Sequence, residues 1–114
     1  MAERIQVIMC PVDRPPYVTN ISNTLENMQR TVGGYIETVT LDGCSAVICN
    51  EEGRLLGLPD NPSLPGYVGD CFICGYEGDE FTDIQEIDKK VIWFLCKDNY
   101  KHYGKNHDSA AVPG

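Results

Sequence analysis

Short stretches of the chain alternate between hydrophobic and polar residues, which is the pattern of a half-buried β-strand. Residues 4–9 show the pattern most simply, because Ile5, Val7 and Met9 fall on one face. Proline, glycine or polar residues bound each stretch, as expected where strands end. Strands are predicted in this way over residues 4–9, 17–21, 35–41, 44–49 and 70–76.

Turn signals between these strands indicate how the sheet is connected. Asp42 and Gly43 form the strongest signal, because both tolerate the positive φ that the central residues of a two-residue hairpin turn require. Residues 50–53 form a further turn, and residues 58–66 contain three prolines, which predicts an ordered loop without repetitive structure. Hairpin connections favour an α+β fold with a mainly antiparallel sheet and two helices packed on one face.

Helical periodicity predicts the first helix directly after the second strand. Asn23 is expected to cap it, with Glu26 completing a capping box. Gly33 is expected to end it, since glycine readily adopts the left-handed conformation that closes many helices. The side facing the core is predicted to consist of Leu25, Met28 and Val32.

The second helix is predicted to be longer and more apolar. Thr82 and Gln85 form a capping box at its start. Its core side is predicted to consist of Ile84, Ile87, Val91, Phe94 and Leu95. Ile92, Trp93 and Cys96 widen the apolar arc beyond what one small sheet covers. We therefore expect a homo-oligomer whose interface includes the helix surface around Trp93, with a fully buried helix as the alternative.

Length and composition indicate one domain. A chain of 114 residues, 42% of them hydrophobic, is large enough to build a single core. We assign this domain to residues 1–100 and expect residues 101–114 to form a flexible, polar tail. The first strand begins without a preceding long apolar stretch, so we expect neither a signal peptide nor a membrane span, and a location in the cytoplasm.

The charge and the cysteines narrow the possible partners. Acidic residues outnumber basic ones by 17 to 9, giving a formal net charge of −8, which argues against binding to long nucleic acid. The six cysteines are expected to be free core residues in a reducing compartment. Cys71 and Cys74 resemble a metal pair in spacing, but residues three apart on a strand point to opposite faces. We predict no metal and no cofactor, and keep a Cys/His zinc-binding regulatory protein as an alternative.

No complete catalytic constellation can be recognised. His102 and His107 lie in the polar C-terminal segment without a predicted orienting partner. No serine or cysteine occupies a nucleophile turn, and Gly33 and Gly34 lack the lysine that follows a phosphate-binding loop. We therefore predict no catalytic residue, and keep a small nucleotide-processing enzyme as an alternative.

Polar groups gather instead around the loop that follows the fourth strand. Asn50 and Asn61 stand at the two ends of this connection, and Glu52 and Arg54 lie in its first turn. With Tyr35 as an aromatic neighbour, these residues are our candidates for binding a small nucleotide-like ligand, with Arg54 in bidentate contact with a phosphate. The alternative is that the asparagines satisfy backbone groups of the loop while the glutamates face water.

Three motifs of the chain resemble a known family. They are VGGYIE at 32–37, CNEEG at 49–53 and GLPDN at 57–61. Together they are similar to the domain-of-unknown-function family DUF3846, and the likeness extends from the first strand to the last helix. The family commonly has a basic residue directly after the third motif, where this chain has Pro62. Its members are small proteins of phages and conjugative elements, so the resemblance implies an accessory role in a mobile genetic element.

An acidic domain without catalytic residues, in such a genetic setting, favours counter-defence by binding in the cytoplasm of the host cell. Two mechanisms are open. The protein sequesters a small nucleotide-type signal, which requires an enclosed pocket, or it docks on a host immune or restriction protein, which requires an acidic and partly apolar face.

Overall fold

The computed structural model describes residues 3–42 and 44–104. Six strands and two α-helices form within these ranges. In chain order the elements are β1 (Arg4–Cys10), β2 (Tyr17–Ser22), α1 (Leu25–Val32), β3 (Ile36–Asp42), β4 (Ser45–Asn50), β5 (Cys71–Glu77), β6 (Glu80–Thr82), α2 (Glu86–Asn99) and a π-helical segment (Tyr100–Gly104).

The strands form one antiparallel sheet in the order β2-β1-β5-β4-β3. β5 lies at its centre, and β4 runs along one side of it. On the other side, β1 pairs with the first part of β5, where Ile8 lies opposite Ile73, and β6 pairs with the last part, where Phe81 lies opposite Tyr76. The predicted α+β class with a mainly antiparallel sheet is confirmed, with β6 as an additional strand.

The two helices cover opposite faces of this sheet, which corrects our expectation that both pack on one face. Ile5 and Val7 of β1 belong to the hydrophobic cluster that contains residues of α1, whereas Ile8 and Cys10 belong to the cluster that contains residues of α2. β4 and the first five residues of β5 are buried throughout. Their apolar runs lack strict alternation, which is typical of strands covered on both faces.

Helix α1 ends as predicted but begins one residue later. Its N-cap is Thr24 rather than Asn23, and the Thr24 hydroxyl accepts a hydrogen bond from the Asn27 amide at 3.1 Å. Gly33 closes the helix with φ of 82°, in the left-handed region that favours glycine. Met28 and Val32 are buried as expected, whereas Leu25 is exposed.

Helix α2 is rotated relative to our prediction. Cys96 is buried, Ile92 and Trp93 pack against the same cluster, and the expected core side is exposed. The exposed fractions are 71% for Ile87, 55% for Val91, 62% for Phe94 and 52% for Leu95. Ile84 is buried, but it precedes the helix.

Polar contacts fix this rotation. The Lys89 ammonium donates to the Gln6 side chain at 3.0 Å, and Asp88 accepts from the Ser45 hydroxyl at 3.0 Å. The Trp93 indole N–H reaches the Pro16 carbonyl at 3.5 Å. The predicted capping box is wrong, because Thr82 belongs to β6 and the N-cap residue Gln85 makes no side-chain cap hydrogen bond.

The hairpin between β3 and β4 is present, and Asp42 pairs with Ser45 at its end. Asp42 is therefore the last paired residue rather than a central turn residue, and Gly43 lies outside the described residues. Residues 101–104 of the predicted tail continue α2 as the π-helical segment, while residues 105–114, which include His107, also lie outside the description. None of the described helices is long and apolar enough to cross a membrane.

Candidate functional site

Three of the five predicted site residues, Asn50, Glu52 and Arg54, line one cavity of about 260 Å³ beside the turn that follows β4. Asn50 is buried and shapes the turn, since its amide donates to the Val32 carbonyl at 3.2 Å and its oxygen accepts from the Glu52 amide at 2.8 Å. Gly34 lies so close to Asn50 that a Cβ at that position would stand 2.8 Å from the Asn50 amide nitrogen. Two of the motifs therefore meet here.

The electrostatics of this first cavity do not favour an anion. Three carboxylates, those of Glu37, Glu51 and Glu52, line it together with the single guanidinium of Arg54. Arg54 is exposed and donates a hydrogen bond to the Gly66 carbonyl. The volume also lies below the roughly 300 Å³ at which pockets for small ligands begin. A phosphate would therefore meet more negative than positive charge here.

The neutral groups of the first cavity are poor nucleophiles. Burial, with a smaller contribution from the Glu37 carboxylate, raises the pKa of the Cys49 thiol. Burial likewise raises the pKa of the Tyr67 phenol. Both groups therefore carry their protons at neutral pH, and a thiol reacts as a nucleophile only in its deprotonated form.

The other two predicted residues, Tyr35 and Asn61, are not among the residues that line this cavity. The Tyr35 side chain is 68% exposed, and its carbonyl accepts a hydrogen bond from the Glu51 amide at 2.8 Å. Asn61 is 2% exposed, and its side chain makes four hydrogen bonds to backbone groups. Its contacts are those of a residue that organises the proline-rich loop.

A second cavity, which sequence reasoning missed, has a volume of about 530 Å³. It lies between the loop after β1 and the C-terminal end of α2. Its lining consists of Pro15, Phe94, Lys97, Asp98, Tyr100, Lys101 and Gly104. The volume falls within the range of about 300–1,000 Å³ that is common for small-molecule sites.

The lining of the second cavity carries more positive than negative charge, with Lys97 and Lys101 against Asp98. All five lysines lie between residues 89 and 105 of a chain whose net charge is −8. Lys97 extends over the Trp93 ring, with its ammonium 4.1 Å from the ring centroid. Asp98 faces His102 with 3.6 Å between the carboxylate oxygen and Nε2, and the His102 side chain is 70% exposed. The clustering of lysines was the one sequence signal for this site.

The cysteines are placed as strand geometry predicts. Cys74 belongs to the cluster on the α1 face and Cys71 to the cluster on the α2 face. Burial raises the pKa of each of these two thiols to about 12. Cys10 and Cys96 form a buried pair with their sulfur atoms 3.9 Å apart. Across residues 3–42 and 44–104, no three His, Cys, Asp or Glu side chains are grouped as a metal site requires.

Comparison with known protein families identifies one family whose sequence model matches this chain. The sequence model of the family described as "Domain of unknown function (DUF3846)" matches residues 5–94. The chain belongs to the DUF3846 family. The resemblance in the three motifs is thereby confirmed. No curated protein and no solved structure shows a match.

The two cavities of this DUF3846 protein differ in their relation to the family. Every residue that lines the first cavity lies within the matched segment of residues 5–94. The second cavity takes Pro15 and Phe94 from that segment, whereas Lys97, Tyr100 and Lys101 follow it. A role shared across the family would therefore be sought at the first cavity, and a ligand specific to this chain at the second.

Proposed function

We propose that this DUF3846 protein is a non-enzymatic accessory protein of a phage or other mobile element, and that it counters host defence by sequestering a small nucleotide-type signal in the second cavity. The observation that carries the proposal is the shared lining of that cavity by two lysines and two aromatic residues. They are Lys97, Lys101, Phe94 and Tyr100.

The chemistry of this lining matches the two halves of a nucleotide. Aromatic rings such as Phe94 and Tyr100 provide faces on which a base stacks, and stacking tolerates different bases. The ammonium groups of Lys97 and Lys101 attract phosphate, and hydrogen bonds to charged groups are the stronger ones. Local positive charge of this kind outweighs the net charge of the chain at short distance, because salt screens charges beyond about 10 Å.

Direct titration tests the proposal. Isothermal titration calorimetry with mononucleotides, dinucleotides and cyclic dinucleotides is expected to identify at least one ligand for the intact protein. The double variant Lys97→Gln/Lys101→Gln is expected to bind it at least about tenfold more weakly, since charged hydrogen bonds contribute about 1.5–3 kcal/mol each.

Arg54→Gln is the matched control, because it removes one positive charge at the first cavity and leaves the second unchanged. Weaker binding by the double variant together with unchanged affinity in this control would place the ligand at the second cavity. Loss of affinity in Arg54→Gln alone would instead place the ligand at the first cavity, and the absence of any nucleotide binding would refute sequestration.

A second experiment identifies the natural ligand and tests the alternative of a nucleotide-processing enzyme. The protein is incubated with lysate from cells with active defence systems, washed and denatured, and the released small molecules are identified. Recovery of an intact nucleotide supports sequestration. Recovery of a cleaved product would instead support an enzyme, provided that the His102→Ala variant no longer releases this product. The reason is that His102 and Asp98 form a carboxylate–histidine pair beside the second cavity.

A second candidate function, docking on a host immune or restriction protein, is favoured by the surface around the first cavity. Glu51 and Glu52 are exposed there, next to Leu55, which is 86% exposed, and to the exposed Tyr35. Such an acidic and partly apolar face complements a basic protein surface. Co-purification of one host protein in stoichiometric amount, lost in Glu52→Lys/Leu55→Glu and retained in Lys97→Gln/Lys101→Gln, would select this function over sequestration.

A further inference from the structure

One side of α2 carries a continuous apolar surface that the rest of the described chain does not cover. We call Ile87, Val91, Phe94 and Leu95 the outer stripe, and each of these side chains is more than half exposed. Their spacing places them on one side of a helix. Contiguous apolar patches of this kind are uncommon on monomeric soluble proteins and mark interaction surfaces.

The outer stripe is not required by the core of the chain itself. The opposite side of α2, with Ile92, Trp93 and Cys96, already packs against the sheet. A helix that is apolar on two opposite sides is expected to be enclosed between two layers. The sheet supplies one layer, and none of residues 3–42 and 44–104 supplies the other.

Charge indicates that the partner is a second copy. Two chains with a net charge of −8 repel each other over most of their surfaces. Residues 86–104 are the exception, because four lysines there stand against three carboxylates. Two copies therefore meet with the least repulsion at α2.

Two charges beside the outer stripe also complement each other in one orientation. They are Glu86, which pairs with Lys89 of its own helix at 3.0 Å, and Lys97, whose ammonium lies over the Trp93 ring. Glu86 and Lys97 are eleven residues apart, roughly three helical turns, so they lie on nearly the same side of α2. An antiparallel pair of α2 helices, centred between Val91 and Phe94, places Glu86 of one copy about two residues, or roughly 3 Å along the axis, from Lys97 of the other. The same contact occurs twice, as a two-fold axis requires.

We infer that the protein forms a two-fold symmetric homodimer in which the outer stripes of two α2 helices pair antiparallel. The interface differs from the one expected from the sequence, because Trp93 faces the protein's own core while Val91 and Phe94 lie at the dimer axis. The inference rests on the outer stripe and its flanking charges, not on the proposed nucleotide ligand. Phe94 and Lys97 also line the second cavity, so the dimer interface and that cavity adjoin at these two residues.

Light scattering coupled to size-exclusion chromatography tests the dimer over a series of micromolar concentrations. The wild type is expected to elute with the mass of two chains, and Val91→Glu with the mass of one. Val91 is exposed, so the variant is expected to keep the wild-type circular dichroism spectrum. Leu55→Glu, which places the same charge at an exposed leucine outside α2, is the control and is expected to remain dimeric.

A charge exchange tests the orientation. Glu86→Lys and Lys97→Glu are each expected to weaken the homodimer, because each puts like charges opposite one another. Mixing the two variants is expected to restore a dimer containing one copy of each, since every flanking pair is then complementary.

The inference would be overturned by three results. One is a wild type that stays monomeric at every concentration. This result would overturn the dimer even if a host protein or residues 105–114 were then found to cover the stripe. The second is a folded Val91→Glu variant that remains dimeric. The third is a mixture of the two charge variants in which no mixed dimer forms.

Discussion

The buried side chain of Asn61 is expected to contribute strongly to stability for its size. Its side-chain amide donates to the Cys10 and Gly69 carbonyls, both at 2.8 Å, and its oxygen accepts from the Ser63 and Leu64 amides at 3.0 and 3.2 Å. Asn61→Ala removes all four hydrogen bonds in a buried site. With a net contribution of about 1 kcal/mol for each bond, and more where a buried group stays unsatisfied, unfolding is expected to become easier by about 4 kcal/mol.

Urea denaturation followed by circular dichroism measures this loss. Small domains are stable by only about 5–15 kcal/mol, so the variant is expected to lose between about a quarter and most of its stability. The thermal midpoint is expected to fall by roughly 15–25 °C.

Ser63→Ala provides a matched control two residues away. The Ser63 hydroxyl is fully buried and has no hydrogen-bond partner among the described residues. Its removal is therefore expected to leave stability unchanged or to raise it by up to about 1 kcal/mol. A loss of less than about 1 kcal/mol in Asn61→Ala, or equal losses in both variants, would refute the view that the amide holds this loop.

Three further outcomes are expected. Burial raises the pKa of Cys71 and Cys74 in the folded protein to about 12. The pKa of a cysteine in the unfolded chain is about 8.5. The free energy of folding that comes from burying these two neutral thiols is therefore fully present below the unfolded pKa and is lost as pH rises towards the folded pKa. Urea midpoints should therefore fall between pH 8 and 10 less steeply in Cys71→Ala/Cys74→Ala than in wild type. Gly75→Ala should destabilise the fold by about 1–3 kcal/mol, because its Cβ would strike the Asp83 carbonyl, and a neutral result would contradict the close approach. Thiol reagents should modify Cys44, the least buried cysteine, before the other five, and rapid labelling of all six without denaturant would exclude the buried positions.

The strands were predictable because their signals are local. β1 and β5 appear within one residue of the predicted bounds, since apolar runs end at proline, glycine or acidic residues. The orientation of α2 was not predictable in this way. The helix is apolar on two opposite sides, so its contacts with residues distant in sequence, Gln6, Pro16 and Ser45, select the side that faces the sheet.

The same distinction applies to the sites. Asn50, Glu52 and Arg54 are neighbours in sequence, so their common cavity followed from one turn. The second cavity brings Pro15 next to Lys97 and Lys101, more than 80 positions along the chain, and no local pattern signals such a meeting. The sequence likewise indicated Asn61 as a ligand-binding amide. The Cys10 carbonyl, which accepts a hydrogen bond from this amide, lies 51 positions away in the chain and could not be recognised as its partner from the sequence.

The central position of β5 has a consequence for how this protein folds during synthesis. The hairpins β1–β2 and β3–β4 each join neighbouring segments, so both can form early. The two hairpins do not pair with each other, because β5 lies between β1 and β4 in the sheet. Once β4 has left the ribosome, and until β5 follows, the nascent chain therefore exposes the unpaired edges of β1 and β4 in addition to the outer edges of β2 and β3. The edges of β1 and β4 are the surfaces through which incomplete copies would aggregate.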